Sequence, residues 1–155
     1  MPLSIRKAEP DDAADIRQIA LNSNIDSWTT DQYWEEAGRS DAVFFVAHDS
    51  AGGIGFVSGR IVPSSTEGLD GEIYNIAVVS EFRGKGIGRE LLGIAIKRFA
   101  FSGCGELWLE VRESNQNAIQ FYENNGFVRI TIRRNFYSSP VENAIVMRLT
   151  LVRKP

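Results

Sequence analysis

Arg83-Gly84-Lys85-Gly86-Ile87-Gly88-Arg89 stands between an apolar, strand-like run, Ile73 to Val79, and a long amphipathic stretch, Glu90 to Phe101. A glycine-rich turn that opens a helix leaves several backbone N–H groups unpaired and pointing at one spot. The helix dipole adds partial positive charge there, so such a turn is built to hold phosphate oxygens. Two common phosphate loops are set aside. Walker A requires G-x-x-x-x-G-K-[ST], which no lysine here satisfies, and G-x-G-x-x-G requires glycine where Arg89 stands. R-x-x-G-x-G remains, on Arg83, Gly86 and Gly88.

Upstream of the turn, Leu3–Ala8 reads as a strand ended by Glu9-Pro10. Asp11 or Asp12 is placed to cap a helix running to about Asn22. A polar stretch, Ser23 to Ser27, leads to Trp28-Thr29-Thr30-Asp31 and a second, shorter helix. Ala42–His48 and Ile54–Val62 flank Asp49-Ser50-Ala51-Gly52-Gly53, which is hairpin-turn chemistry. Pro63 to Asp70 forms a loop before the strand Gly71–Val79.

Downstream, Ile87, Leu91, Leu92, Ala95 and Phe99 fall on one buried side of a helix. A strand at Glu106–Arg112 follows, then a helix over Asn115–Asn125 stopped by Gly126, a good left-handed cap. Phe127–Arg134 and Ala144–Leu151 complete the sheet, with a loop containing Pro140 between them. The order β-α-α-β-β-β-α-β-α-β-β predicts one α/β domain over residues 1–155. Its sheet is mixed, mostly antiparallel and seven-stranded, with helices on both faces.

Composition narrows the partners. Apolar residues make up 43% and charged residues 24%, an ordinary globular balance. The formal charge of −3 argues against a general nucleic-acid-binding surface and suits a basic partner. A single cysteine, Cys104, permits no internal disulfide and no all-cysteine metal site, which fits a reducing compartment. Cys104 and the lone histidine, His48, read as structural, and no metal is expected. Met1 to Lys7 lacks the apolar region of a signal peptide, and no apolar run approaches the ~18 residues of a membrane span. The expectation is a cytoplasmic protein, monomeric or homodimeric, with no membrane association.

Several stretches sharpen the reading. They are Asn75-Ile76-Ala77-Val78, Leu107-Trp108-Leu109-Glu110-Val111-Arg112, Ser114-Asn115 with Ala118-Ile119, and Phe121-Tyr122-Glu123 with Gly126-Phe127. Ile132-Arg133-Arg134-Asn135-Phe136-Tyr137 and Ala144-Ile145-Val146-Met147 follow. With the R-x-x-G-x-G turn, these resemble the GNAT superfamily of N-acetyltransferases, and within it the RimI branch. The likeness is strong over roughly residues 70 to 150 and lies only in element order before that. It implies the GNAT fold, acetyl-CoA as cosubstrate, and transfer to the N-terminal α-amine of a protein, a ribosomal one in the RimI case.

The resemblance also distributes roles. Along Ile76, Ala77 and Val78 the strand should part from its neighbour, so that freed backbone groups pair with the pantetheine arm and an N–H near Val78 meets the acetyl oxygen. Backbone amides from Gly84 through Lys85, Gly86, Ile87, Gly88 and Arg89 should hold the diphosphate, with Arg83 and Lys85 adding charge. Glu110, mid-strand in an apolar run, needs a partner or an open cleft, since a buried unpaired carboxylate is costly. By analogy it takes the proton of the incoming amine, and Arg112 or a neighbouring strand is its alternative partner. Glu72 competes for that role, on the strand face expected to carry Tyr74, Ile76 and Val78. Tyr122 is placed to protonate the departing thiolate, with core filling as the other reading. Asn115 caps its helix and is placed to touch the coenzyme.

Arg134, Asn135 and Tyr137 are expected on the acceptor side, in a loop at the cleft mouth. Trp28, Tyr33 and Trp34 would line a pocket if the acceptor were a small amine such as a polyamine, amino acid or antibiotic. A non-catalytic acetyl-CoA-binding module is the third reading. The chemistry leans toward a terminal amine, whose pKa of about 7.7–8.0 leaves about a tenth uncharged near neutrality. For lysine, at about 10.4, the uncharged share is below about a thousandth.

Overall fold

The computed structural model describes residues 3–25 and 28–151, so Asp26 and Ser27 of the expected polar stretch lie outside the described residues. Strand β1 (Ser4–Lys7) leads through a 3-10 turn (Pro10–Asp12) into α1 (Ala13–Asn22) and α2 (Thr30–Ala37). Then come β2 (Ala42–Asp49), β3 (Gly52–Pro63), β4 (Leu69–Val78), α3 (Ile87–Phe101), β5 (Cys104–Arg112), α4 (Gln116–Asn124), β6 (Val128–Ser138) and β7 (Val141–Thr150). The element order is the expected one.

Local chemistry sets these boundaries. Thr29 Oγ1 accepts from the Gln32 amide while Gln32 Oε1 accepts from the Thr29 amide, a reciprocal cap that starts α2. Gly126, with φ 95°, takes the left-handed conformation after α4. The strands form one seven-stranded sheet in the order β1-β2-β3-β4-β5-β7-β6. Only β4 and β5 run parallel.

Helices cover both faces. Ile87, Leu91, Leu92, Ala95 and Phe99 of α3, with Ile119 and Tyr122 of α4, pack on Leu107, Leu109, Val111 and Met147. On the opposite face, Ile16 and Ile19 of α1 and Tyr33 of α2 pack on Phe44, Val46 and Phe56. No helix among the described residues is long and apolar enough to cross a membrane.

Two departures bear on the site. The segment expected as a loop after Arg134 is strand, because β6 and β7 run on together to Ser138 and Val141. β4 also carries a bulge at Tyr74: Ser58 pairs with Asn75 but Gly59 pairs with Ile73. One extra residue reverses the alternation of side chains.

Candidate active site

β4 and β5 pair only at Leu69–Cys104, Gly71–Leu107 and Glu72–Trp108, and beyond these rungs they part. Asp70 clasps the closed end, accepting from the Glu106 amide and from Trp108 Nε1, each at 3.2 Å. Past it, β4 stays paired with β3 to Val78. The Val79 amide donates to Ile54 O at 2.9 Å, so alternation turns the amides of Ile76 and Val78 toward the side that β5 has left. The expected parting of Ile76, Ala77 and Val78 is therefore present.

That open edge runs into the glycine turn. None of the amides from Gly84 to Arg89 has a hydrogen-bond partner within the described residues, and the first helical bond is Glu90 N to Gly86 O at 3.0 Å. Gly84 and Gly86 have φ of 78° and 82°, and a Cβ at either would meet nothing within 4 Å. Positive φ keeps the turn tight, and the absence of side chains leaves the amides approachable. Ile87 plugs into the core and fixes the helix start. Lys85 and Arg89 are exposed, with the Lys85 ammonium 5.4 Å from the Phe82 ring centre. Arg83, expected to add charge at the phosphates, is also held by neutral acceptors. Its Nε donates to Val78 O at 2.8 Å and its Nη2 to Ser23 Oγ at 3.3 Å, which ties the end of β4 to α1.

Leu107, Leu109 and Val111 point to the α3 side, so Glu106, Trp108, Glu110 and Arg112 point to the α1 side. Glu110 lies two positions past the last β4–β5 rung. Its Oε1 accepts from Arg133 Nη1 at 2.9 Å. Its Oε2 is buried and has no hydrogen-bond partner among the described residues. The partner is thus neither Arg112 nor an adjacent strand, since β7 lies between β5 and β6. Arg112 is held elsewhere, 3.2 Å from Glu142 Oε1 and with its guanidinium 4.2 Å from the Tyr137 ring centre.

Tyr137 stands close to this carboxylate, and Tyr122 close to Tyr137. Burial raises the Tyr137 phenol above its ordinary pKa, and the charge of Glu110 raises it further. Burial raises Tyr122 far more, with Tyr137 adding to the effect. A phenol so placed keeps its proton at any pH near neutrality. Tyr122 is wedged between Phe121 and Phe127, with ring centres 5.4 Å and 5.5 Å away. Asn115 Oδ1 accepts from the Ala118 amide at 3.2 Å, the cap expected of it. A Cβ on Gly88 would stand 3.6 Å from Phe121 and 3.9 Å from Val78, so α4, the glycine turn and the open end of β4 converge.

Other expected residues fall elsewhere. The Tyr74 bulge puts Glu72 and Tyr74 on the α1 side and Ile76 and Val78 on the α3 side, so the four do not share a face. Glu72 is exposed at the closed end of the gap. Tyr33 is fully buried against Trp28, Phe44 and Phe56, a core residue and not a lining one. Trp28 keeps its place: its ring is 5.8 Å from Tyr74, and it borders a hollow of about 260 Å³ with Gln32, Glu35, Glu36, Arg39 and Arg60. Trp34 lies outside that hollow and is exposed. Arg134 and Asn135 belong to a bulged part of β6, exposed, with Asn135 at φ 52°.

Arg133, Phe136 and Asp70 were not singled out by sequence reasoning. Arg133 and Phe136 lie within the Arg-Arg-Asn-aromatic-Tyr stretch that was. Their use is set by the bulge, which leaves no mark in residue spacing.

Residues 13–127 match the Acetyltransferase (GNAT) family. The chain is 46% identical over 81 residues to the ribosomal protein bS18-alanine N-acetyltransferase of Salmonella typhimurium, covering 51% of this chain and 55% of that one. It thus spans about half the length of the curated relatives it matches. The structure of the ribosomal-protein-S18-alanine N-acetyltransferase from Escherichia coli superposes with a TM-score of 0.86 at 28% identity, covering 99% of this chain and 97% of that one. Ard1 from Thermoplasma volcanium superposes at 0.87 with 27% identity, over 99% and 100% of the two chains.

Proposed function

This chain belongs to the GNAT family of acetyltransferases, and from that premise we propose that it moves the acetyl group of acetyl-CoA onto the α-amine of a protein N-terminus. A basic ribosomal protein beginning with alanine is the favoured acceptor. Transfer is direct, within a ternary complex. The observation that carries the reading is the parting of β4 from β5 beside a buried, partnerless carboxylate oxygen.

Acetyl-CoA supplies, when bound, an acetyl group activated as a thioester. Its fit is supported by the free amides of Gly84 to Arg89 and by the open space at Gly84 and Gly86, which suit a diphosphate. Lys85 and Arg89 add charge there. The backbone edge of Ile76 and Val78 orients the pantetheine arm, and the Val78 amide donates to the acetyl oxygen as negative charge develops on it. Glu110 Oε2 accepts the proton that the attacking amine loses. Tyr122 gives its proton to the leaving sulfur. Asn115 lies at the start of the same helix, within the proposed coenzyme groove.

A mass-spectrometric assay on peptides beginning Ala, Ser, Met or Gly, with a lysine-only control, tests the acceptor. Labelling at the terminal amine, strongest for Ala, is expected. Labelling confined to lysine overturns the assignment. A second reading, acetylation of a small amine, draws on the hollow of about 260 Å³ beside Trp28, where Glu35 has no ion-pair partner among the described residues while Glu36 is paired with Arg60. A polyamine and amino-acid panel in the same assay separates the two.

A further inference from the structure

Glu110 is reached by an arginine from two strands away, and the path of that arginine is specific. Arg133 on β6 pairs with Ala144 on β7, and Ala144 pairs with Arg112 on β5. Ala144 is fully buried and presents only a methyl group, so the Arg133 stem can cross β7 at that rung. The guanidinium ends 2.9 Å from Glu110 Oε1. From the other side the Phe136 ring packs on it, 4.4 Å from ring centre to guanidinium carbon. Phe136 is presented by the bulged segment of β6, where the Asn135 amide donates to Asn143 Oδ1 at 3.0 Å. A bulge of this kind re-aims side chains.

Two neighbouring arginines of this face are occupied. Arg148 pairs with Glu106 at 3.0 Å, and Arg112 with Glu142 at 3.2 Å. Arg133 is more than half exposed, and ion pairs of that exposure contribute little to folding. What the contact does fix is a torsion. A carboxylate free to rotate would turn its second oxygen to water; one held at Oε1 by a charge-assisted hydrogen bond cannot.

We infer that Arg133 is a positioning residue for acetyl transfer, holding one oxygen of Glu110 so that the other stays free for the incoming amine. Phe136 in turn holds Arg133. The inference rests on Glu110 acting as the base in the function proposed above.

The test compares wild type, Arg133→Met, Arg133→Lys, Glu110→Gln and the Glu110→Gln/Arg133→Met pair. Turnover is measured with acetyl-CoA and a peptide beginning with Ala, and acetyl-CoA affinity by calorimetry. Arg133→Met should lower kcat by about 10–100-fold, the range for a mispositioned catalytic group. KM for the peptide and calorimetric Kd for acetyl-CoA should stay within about twofold, and Arg133→Lys should recover part of the loss. In the Glu110→Gln background, Arg133→Met should cost nothing further. A raised KM at unchanged kcat overturns the inference, since Arg133 would then contact the acceptor. A loss that multiplies with Glu110→Gln also overturns it while leaving the base in place. Glu110→Gln at the wild-type rate removes the base assignment and this inference together, whereas a wild-type chain inert toward the peptide overturns the proposed acceptor, and the same variants are then compared with the small amine that is acetylated.

Discussion

Glu110 and Tyr122 have different surroundings, in keeping with the separate proton-transfer roles proposed for them. Glu110 keeps one oxygen on Arg133 and one without a donor, while Tyr122 is enclosed by aromatic rings. Burial holds the Tyr122 phenol protonated far into the alkaline range, so it cannot serve as a base near neutrality. Tyr122→Phe should therefore cut kcat by about 10²–10⁴-fold, the span of general acid catalysis, and leave acetyl-CoA binding nearly unchanged. Steady-state kinetics with calorimetry reads both quantities, and a near-wild-type rate removes Tyr122 from the chemistry. At this scale the sequence was informative for residues whose neighbours are local. Asn115 caps its own helix, and Gly84 and Gly86 adopt the conformations a tight turn requires. It was uninformative where a partner comes from a distant strand, as with Arg133 and Glu110, or where a tyrosine in a pocket-like context turns inward, as Tyr33 does.

At the scale of elements, the decisive event is the end of β4–β5 pairing after Glu72 and Trp108. Asp70 marks the boundary, a nearly buried carboxylate that binds one backbone and one side-chain donor of β5. Asp70→Ala leaves the Trp108 indole N–H and the Glu106 amide unpaired in a closed part of the sheet. The loss should amount to about 2–3 kcal/mol, read as a lowered urea midpoint at unchanged slope. Helices and strands were legible in the sequence because their apolar periods are clean. The buried side of α3 is the five residues that spacing indicates. Bulges were not legible, since an extra residue at Tyr74 or across Arg134 to Phe136 changes pairing without changing composition. Each such slip misdirected one expectation: the shared face of Glu72 with Ile76, and the loop expected at Arg134 to Tyr137.

Across the whole molecule, buried phenols make stability depend on alkaline pH. Tyr74, Tyr122 and Tyr137 are each raised above the ordinary value, chiefly by burial. In the unfolded chain they ionise near pH ~10, so above that point the folded state binds more protons than the unfolded one. Stability from this source is complete below pH ~10 and falls as pH rises further. Urea melts from about pH 8 to 11 should show the decline beginning near 10, and it should be shallower in Tyr122→Phe. The sheet itself is two antiparallel ladders, β1 to β4 and β5 to β7, joined by three parallel rungs and one carboxylate. Thermal opening costs least where such bonds are fewest. Flexing along this midline would widen the notch while both ladders stay zipped, a movement that would serve product release in the function proposed above.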